Sequence, residues 1–385
     1  MASDKIKLWL HLTTKTNISR PKLLSLYNHF KSVEAIYSAS EDELKNIGIL
    51  TDDEISSVIS KDDKGLNEYM SLLSINSVKI VTIECDEYPD MLRFIASPPL
   101  VLYCRGKFID LNKYICIASV GTRNPSSYGK KITYSILRDV CKEGFVIVSG
   151  MAQGIDAVSH KAAIESGCPT VAFIATGVDI IYPKLNSHLF KKILETGMIV
   201  SEYPLGTTPK PYYFPERNRL ISGVSKGVFI SEAASKSGSA ITMSYALEQG
   251  KDIFALPGNV DAPLSQEPNR LLKLGAFPVT EANDIISHYK EIYFHNMDFL
   301  DLEKTKETKI DFKIEEKNDN KEQIKFPDGY SDEEKLTEAL KSDALDIDSL
   351  SLITDISLDK LNVLLLSMEL DGKIKTENGN YFLIK

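Results

Sequence analysis

Short apolar runs alternate with helical segments over residues 113–288, and this alternation restricts the fold more than any other feature of the chain. The predicted strands are Tyr114–Val120, Phe145–Val148, Thr170–Ile174, Met198–Val200, Gly227–Ile230 and Asp252–Ala255. The intervening helices are predicted to begin near Tyr128, Gly154, Ser187, Pro215 and Ser239. Strands that are apolar along their whole length are buried on both faces, as in a parallel sheet covered by helices. The pattern therefore predicts an α/β fold with a doubly wound, mostly parallel sheet.

The flanking sequence predicts a helical domain before this core. Residues 1–75 resemble a SAM or helix-hairpin-helix domain, because Ile47-Gly48-Ile49 ahead of Asp52–Ile59 fits one such hairpin. Such hairpins can hold a nucleic-acid backbone. A plain packing role is favoured here, because the acidic residues Asp52, Asp53 and Glu54 directly follow the turn. The core domain is expected to span residues 76–290.

A charged linker and a small C-terminal domain are predicted after the core. The linker covers residues 291–328, and 15 of the residues 301–325 are charged. Residues 329–385 are predicted to be a winged helix, with helices Glu333–Leu340, Ile347–Ile353 and Leu358–Leu370. A terminal hairpin follows, with its turn at Asn378-Gly379.

The formal net charge of −9 does not exclude an anionic ligand, because the acidic excess is unevenly distributed. Residues 115–286 carry 17 basic and 15 acidic side chains, whereas residues 331–385 carry 6 and 12. The core can therefore present a locally basic face. The winged helix, with Lys360 as the one cation of Leu358–Leu370, is predicted to contact protein rather than DNA.

Composition also predicts the compartment. The chain has no run of 18 apolar residues and no secretory signal at its N-terminus, so no membrane partner is expected. Its five cysteines are odd in number and contain no CxxC pair, which argues against a disulfide scaffold and against a cysteine zinc site. A cytoplasmic protein is predicted.

Small and polar residues follow the predicted strands, where ligands bind in a doubly wound sheet. Gly121, Thr122 and Arg123 follow the first strand, and Tyr128-Gly129 opens the next helix. A glycine admits a ligand to the backbone, and a helix N-terminus offers N–H groups to a phosphate. Arg123 adds a bidentate donor, although a structural salt bridge is an equally good interpretation of this residue alone.

Two further loops offer backbone amides to an anion. Their candidate residues are Ser149, Gly150, Ala152, Gln153 and Gly154 after the second strand, and Lys236, Ser237, Gly238 and Ser239 at a later helix start. Asp156 is expected to cap amides, and its pairing with His160 lacks a third ligand. No catalytic residue and no metal ligand is assigned. The GxGxxG, Walker A, HExxH and GxSxG motifs are absent, so no cofactor is expected.

The segment 210–219 combines three consecutive aromatic residues with three basic ones. Rings that stack on bases and cations that hold phosphates suit single-stranded nucleic acid. The candidate contact residues are Lys210, Tyr213, Phe214, Arg217, Asn218 and Arg219, together with Lys184 and Asn186 from the loop at Tyr182-Pro183. An internal role is the alternative, with Arg217 and Arg219 in buried ion pairs, and it is favoured for Arg217 and Asn218.

Seven motifs, in this order, resemble the DNA-processing protein A family, also called DprA or Smf. They are Gly121-Thr122-Arg123 with Tyr128-Gly129, the 149–156 segment, Tyr182-Pro183-x-x-Asn186, Ser201-Glu202-Tyr203-Pro204, Phe214-Pro215-x-Arg217-Asn218-Arg219, Ser237-Gly238-Ser239 and Pro257-Gly258. One departure is Glu267-Pro268 before Asn269, where the family usually has a glycine two residues ahead of this asparagine.

The resemblance implies a Rossmann-like core that binds single-stranded DNA and helps to load a RecA-type recombinase onto it during natural transformation and recombination. It also implies a homodimer formed through this core and no enzymatic activity. The family's DNA-contacting arginine maps to Arg123, and further contacts map to Lys184, Lys210 and Phe214. The segment near Leu271, Leu272 and Phe277 is a candidate dimer surface, with core packing as the alternative.

Two other functions remain open from the sequence. One is a phosphoribohydrolase-like enzyme of a related Rossmann group, although the PGGxGTxxE signature of that group is absent. The other is a nucleotide-binding sensor that signals through the winged helix.

Overall fold

The computed structural model describes residues 2–60, 65–235, 237–293, 330–341, 345–346, 350, 354, 356, 358–377 and 380–383. The chain divides into two compact units, Met1–Asp301 and Leu302–Lys385. Residues 294–328 of the predicted linker 291–328 lie outside the described residues, as does Lys236, whereas residues 291–293 form the end of α14. Most of the predicted helix Ile347–Ile353 and the turn at Asn378-Gly379 do so as well.

The first unit contains a sheet with helices on its faces. Its helices are α1 Ala2–Thr14, α2 Arg20–Phe30, α3 Val33–Ser38, α4 Glu41–Asn46, α5 Asp52–Ser60, α6 Leu66–Ile75, α7 Asp90–Arg93, α8 Ser127–Lys142, α9 Ile155–Glu165, α10 Ser187–Thr196, α11 Tyr213–Val224, α12 Gly238–Glu248, α13 Gln266–Lys273 and α14 Ala282–Tyr293. Its strands are β1 Val78–Thr82, β2 Val101–Gly106, β3 Cys116–Val120, β4 Val146–Ser149, β5 Thr170–Phe173, β6 Met198–Ser201, β7 Gly227–Ile230, β8 Asp252–Ala255 and β9 Phe277–Pro278.

Within the described residues of this unit, the strands form one sheet in the order β1-β2-β6-β5-β4-β3-β7-β8-β9. The strands from β6 to β9 in that order are parallel, and β1 and β2 extend the sheet as an antiparallel edge. This confirms the predicted α/β class and the mostly parallel sheet. All six strands predicted for the core are present, with ends within two residues of the prediction.

The strand order explains where a ligand can enter. From β3 the chain proceeds to β4, β5 and β6 on one side of the sheet and later returns to β7, β8 and β9 on the other side. The loops after β3 and β7 therefore diverge at a topological switch point and leave a crevice there. Residues in β3 and β7 are buried throughout, so the sheet holds these two loop starts rigidly.

The N-terminal helices pack on the antiparallel edge of the sheet. Ser40 and Glu43 form a capping box that begins α4, and Gly48 has a φ of 72° in the turn before α5. The fully buried Trp9 belongs to the same hydrophobic core as Leu102 of β2. The Tyr69 hydroxyl accepts a hydrogen bond from Leu205 N at 3.1 Å. Helices and sheet therefore share one core, and the predicted domain boundary near residue 75 stays a prediction.

The region near the predicted dimer surface is partly core. Leu271 is buried, whereas Phe277 is 42% exposed, and its ring centroid lies 5.5 Å from that of Phe254. Glu267, at the position of the family departure, is buried and forms a bidentate pair with Arg270. No described helix is long and apolar enough to cross a bilayer.

The second unit is small and has its own core. Its described elements are α15 Asp332–Ala339, α16 Leu358–Leu370, β10 Leu345–Asp346, β11 Ile374–Glu377 and β12 Asn380–Leu383. The strands pair in the order β10-β12-β11 within the described residues. Leu336, Leu361 and Leu365 are buried between the helices and the sheet. The bounds of α16 are those predicted from the sequence.

A buried histidine is expected to make the stability of the first unit depend on pH. His160 of α9 is fully buried, and its Nδ1 lies 2.8 Å from Thr170 Oγ1, which donates to the Ile147 carbonyl at 2.7 Å. Nδ1 therefore carries the hydrogen, and protonation must occur at Nε2, a buried atom with no partner among the described residues. Burial lowers the pKa of His160 from 6.5 to about 3.

We expect this histidine to destabilise the fold as the pH falls below about 6.5. Below that pH the imidazole of His160 is protonated in the unfolded state but stays neutral in the folded state. Between about pH 8 and 5 the free energy of unfolding should fall by about 2 kcal/mol on this account. In His160→Asn the amide can donate to Thr170 Oγ1 in place of Nδ1–H. Chemical denaturation of this variant should show a smaller change in the free energy of unfolding with pH than in wild type. The control His188→Asn removes an exposed imidazole of α10. An equal pH dependence in wild type and His160→Asn would contradict the assignment.

Candidate functional site

A cavity of about 610 Å³ opens at the switch point, between the carboxyl ends of β3 and β7 and the first turns of α11 and α12. The predicted site residues that line it are Gly121, Thr122, Arg123, Ala152, Phe214, Arg217, Asn218, Ser237, Gly238 and Ser239. A smaller recess of about 120 Å³, which shares Arg123 and Phe214, is lined in addition by Gly150 and Gln153.

Arg123 is the cation best placed to meet an anion in this cavity. Its side chain is exposed, and within the described part of the chain the structure shows no hydrogen bond or ion pair to its guanidinium. The structural salt bridge that the sequence left open is therefore not present. The backbone before it is rigid, because Thr122 N donates to the Glu232 carbonyl at 2.7 Å. At Gly121 a Cβ would lie 2.5 Å from Ile155 Cγ1, so only glycine fits.

The helix start after β3 is occupied by the chain's own carboxylate. Glu232 accepts hydrogen bonds from Ser126 N at 2.8 Å and Ser126 Oγ at 2.6 Å, at the N-terminus of α8. A Cβ on Gly129 would lie 2.2 Å from this carboxylate, so the glycine admits Glu232 rather than a ligand. The prediction that Tyr128-Gly129 opens a free phosphate site is wrong, because an internal anion already fills it.

The loop after β4 is satisfied in a similar way. The buried Asp156 carboxylate accepts from Gly150 N at 3.1 Å and Ala152 N at 3.2 Å, which confirms its predicted capping role. Burial raises the pKa of Asp156, and the charge of Arg217 opposes that rise. Gly154 has a φ of 77°, and a Cβ there would lie 2.3 Å from the Thr122 carbonyl oxygen. Ser149 is buried and donates to the Ser119 carbonyl at 2.7 Å.

Arg217 holds α11 against the ends of two strands. Its Nη1 donates to the Gly150 carbonyl at 2.6 Å and to the Phe173 carbonyl. Its Nε donates to Asn218 Oδ1 at 3.2 Å. Only 4% of Arg217 is exposed, and burial lowers its pKa to about 10, so it remains charged at neutral pH. The internal role favoured for Arg217 from the sequence matches these contacts.

Two other predicted contact residues also have internal partners. Arg219 Nη2 donates to Glu202 Oε2 at 2.7 Å, and both side chains are almost fully buried. Asn186 Nδ2 donates to the carbonyls of Met151 and Ala152 at 2.9 and 3.1 Å. These side chains order the loops around the cavity, and their predicted contact with DNA stays a prediction.

Aromatic rings form one wall of the cavity. The rings of Tyr182 and Phe214 lie 5.5 Å apart between centroids, and both residues line the cavity. Tyr213 instead packs on Tyr203 at 4.1 Å, and the exposed Lys210 has its Nζ 5.5 Å from the Tyr213 ring centroid. Lys184 is exposed and has no ion-pair partner among the described residues. Phe214 and Tyr182 therefore line the cavity, whereas Tyr213 does not, and its predicted contact with DNA stays a prediction.

The N-terminus of α12 offers the remaining amides. Ser237 makes no capping hydrogen bond to the helix, and its Oγ is buried without a partner within the described part of the chain. Ser239 Oγ donates to the Gly121 carbonyl at 2.8 Å, which ties this helix start to the Arg123 loop. Arg123 and the first turn of α12 therefore lie on the same cavity.

Sequence reasoning missed one contributor to the site. Glu232 lies two residues after β7, but only the fold shows that its carboxylate reaches the start of α8. No cluster of three or more histidine, cysteine, aspartate or glutamate side chains that could hold a metal occurs among the described residues.

Residues 79–290 match the family model described as DNA recombination-mediator protein A, and residues 327–380 match the DprA winged helix domain. The second match confirms the predicted winged helix. The DNA processing protein DprA of Bacillus subtilis is 40% identical over 214 residues, which cover 56% of this chain and 72% of that protein. Protein Smf of Synechocystis is 33% identical over 292 residues, which cover 74% of this chain and 73% of that protein.

Two solved structures are similar in fold. The X-ray structure of Streptococcus pneumoniae DprA matches with a TM-score of 0.66 at 31% identity, covering 73% of this chain and 97% of that one. The second is DNA processing protein A of Helicobacter pylori, whose structure addresses its single-stranded DNA binding mode. It matches with a TM-score of 0.51 at 31% identity, covering 56% of this chain and 97% of that one. The chain therefore belongs to the DprA/Smf family of DNA processing proteins.

Proposed function

We propose that this protein binds single-stranded DNA in the switch-point cavity and, without catalysing a reaction itself, helps to load a RecA-type recombinase onto that DNA. The observation that carries the proposal is that the exposed guanidinium of Arg123, which has no hydrogen-bond or ion-pair partner among the described residues, lines the same cavity as Phe214. A cation for phosphate and a ring for a base are the two elements that single-strand binding requires.

The backbone phosphates are expected to meet Arg123 and the first turn of α12. A guanidinium holds a phosphate through two parallel hydrogen bonds. The amides of Gly238 and Ser239, which no side chain caps among the described residues, supply further donors, aided by the helix dipole. Lys184 and Lys210 are exposed on neighbouring loops and extend the positive surface along the bound DNA strand. The N-terminus of α8 takes no phosphate, because Glu232 occupies it.

The bases are expected to enter between the loops and stack on Phe214 and Tyr182. A cavity walled by rings accepts bases that are not paired, whereas a duplex hides its base faces within the stack. Thr122, Gln153 and Asn218 border the two recesses and can hydrogen bond to base edges. Arg217, Arg219 and Asn186 are proposed to keep this wall in place rather than to bind DNA.

The partners follow from the resemblance to the family. A homodimer through the Rossmann-like domain would place two cavities on one strand and raise the avidity for longer DNA. The exposed part of the segment around Phe277 remains the candidate surface for that dimer. A RecA-type recombinase on cytoplasmic single-stranded DNA is the proposed second partner.

Replacement of Arg123 tests the site directly. Arg123→Ala should weaken binding of a labelled oligo-dT of about 25 nucleotides by about 1–3 kcal/mol, the range for a charge-assisted hydrogen bond. The slope of log affinity against log salt should fall by about 0.7, as one phosphate contact is lost. Fluorescence anisotropy at about 50 and 200 mM salt measures both quantities.

Lys107→Ala is the matched control for that variant. Lys107 is exposed and follows β2, which is antiparallel to β6, so it lies at the amino edge of the parallel strands, opposite the cavity. Its removal should change neither affinity nor slope. Unchanged values in Arg123→Ala would refute the Arg123 assignment. Failure of wild type to bind single strands, with binding of mononucleotides, would favour the nucleotide sensor instead.

Phe214→Ala should weaken binding through a different physical contribution. Loss of one stacked base costs about 1–3 kcal/mol, and no phosphate contact is lost, so affinity should fall at an unchanged salt slope. Tyr212→Ala is the control, since Tyr212 is 56% exposed on the same segment but does not line the cavity. A thermal melt shows whether either variant is unfolded. Equal affinities in a folded Phe214→Ala would exclude stacking on this ring.

Recombinase loading has its own test. Oligo-dT coated with single-strand binding protein resists recombinase assembly, and wild-type protein should accelerate assembly, measured as DNA-dependent ATP hydrolysis by the recombinase. Arg123→Ala should lose this effect in proportion to its lost DNA affinity. If wild type binds the DNA but leaves the rate unchanged, the loading role is wrong while the DNA site stands.

A further inference from the structure

Helix α11 presents two different faces to the rest of the first unit. Phe214, Arg217, Asn218 and Ile221 are spaced as one helical stripe and line the cavity. Tyr213 and Glu216 lie on an adjacent face, where they contact Tyr203 and Arg20 of α2. Any displacement of the first turn of α11 therefore moves the cavity wall, because both faces belong to one rigid helix.

The N-terminal helices contact this second face through Arg20, the first residue of α2. Its Nη1 lies 3.2 Å from Glu202 Oε2 and 3.2 Å from Glu216 Oε2, so one guanidinium bridges the loop after β6 and the first turn of α11. Glu202 is almost fully buried and also pairs with Arg219 of α11 at 2.7 Å.

Aromatic contacts continue this connection to the segment before α11. The Arg20 guanidinium lies 4.4 Å from the ring centroid of Tyr203. The Tyr203 hydroxyl donates to Glu216 Oε2 at 3.1 Å, and its ring packs on Tyr213 at 4.1 Å. Lys210, one of the exposed cations near the cavity, lies beside the Tyr213 ring. Arg20 is thus connected through Tyr203 and Tyr213 to the segment at residues 210–214.

We propose that Arg20 is a positioning residue for the DNA site: it holds the first turn of α11, and through it Phe214 and the Lys210 segment, in the arrangement that binds single-stranded DNA. The DNA part of this inference rests on the proposed function. Arg20 does not line the cavity, and its guanidinium is engaged by two carboxylates, so it serves no phosphate. The N-terminal helices then contribute to DNA affinity without touching DNA.

The test combines a DNA-free and a DNA-binding readout on the full chain. Hydrogen exchange should show faster exchange of the α11 amides at residues 213–218 in Arg20→Ala than in wild type. Affinity for oligo-dT should fall about three- to tenfold, the size of coupling carried by residues without ligand contact, at an unchanged salt slope. Arg20→Lys, which keeps the charge but not the planar bridge, should restore part of the affinity.

Two further variants make the test specific. Glu216→Gln should reproduce part of the loss, and the double variant should bind no more weakly than Arg20→Ala alone, because Arg20→Ala already removes the ion pair with Glu216. Lys22→Ala is the matched control: Lys22 is the next cation of α2 and pairs with Glu54 of α5 at 2.7 Å, away from α11. It should change neither exchange nor affinity.

The outcomes separate this inference from the proposed function. Unchanged α11 exchange and unchanged affinity in Arg20→Ala overturn the positioning role. A reduced salt slope in Arg20→Ala also overturns it, since that result marks a direct phosphate contact. If wild type fails to bind single strands, the proposed function falls, and the exchange data alone decide whether Arg20 holds α11.

Discussion

The buried guanidinium of Arg217 is the interaction on which the rest of the site depends. It joins α11 to the carbonyls that end β4 and β5, and it lies close enough to Asp156 for each charge to influence the other. A buried cation is tolerated only where acceptors surround it, and removal of one partner from such a group costs several kcal/mol. The loop after β4, the Asp156 cap and the cavity wall on α11 are therefore mutually dependent.

Internal carboxylates decide which parts of the sheet edge remain open. A doubly wound sheet offers several helix starts to phosphate groups, and a nucleotide-binding protein of this class uses the one after the first parallel strand. Here Glu232 fills that position and Asp156 fills the amides after β4. The α12 start and Arg123 line the cavity together with Tyr182 and Phe214. This arrangement is the basis for proposing single-stranded DNA rather than a mononucleotide as the ligand.

The N-terminal helices belong to the same compact unit as the sheet and share its hydrophobic core. Trp9, Tyr69 and Arg20 connect them to β2, to the loop after β6 and to α11. The ion pairs of Arg20 are partly exposed, so they contribute little to the free energy of unfolding. Their proposed effect is to hold the first turn of α11 in place. A surface ion pair of this kind matters when it bears on an element that also forms a binding wall.

Local patterning by itself determined the parallel sheet, its six core strands and the position of α16, because strand and helix periodicities are properties of neighbouring residues. It also indicated Arg123 and Phe214, since glycine before a cation and rings beside cations are short-range signals. Tertiary structure alone decided that Arg123 has no partner among the described residues while Arg219 is paired with Glu202, that Glu232 closes the α8 start, and that Tyr182 faces Phe214. Each of these depends on groups distant in sequence, because charge pairing and ring contacts are fixed by the positions of strand ends across the sheet rather than by local residue order.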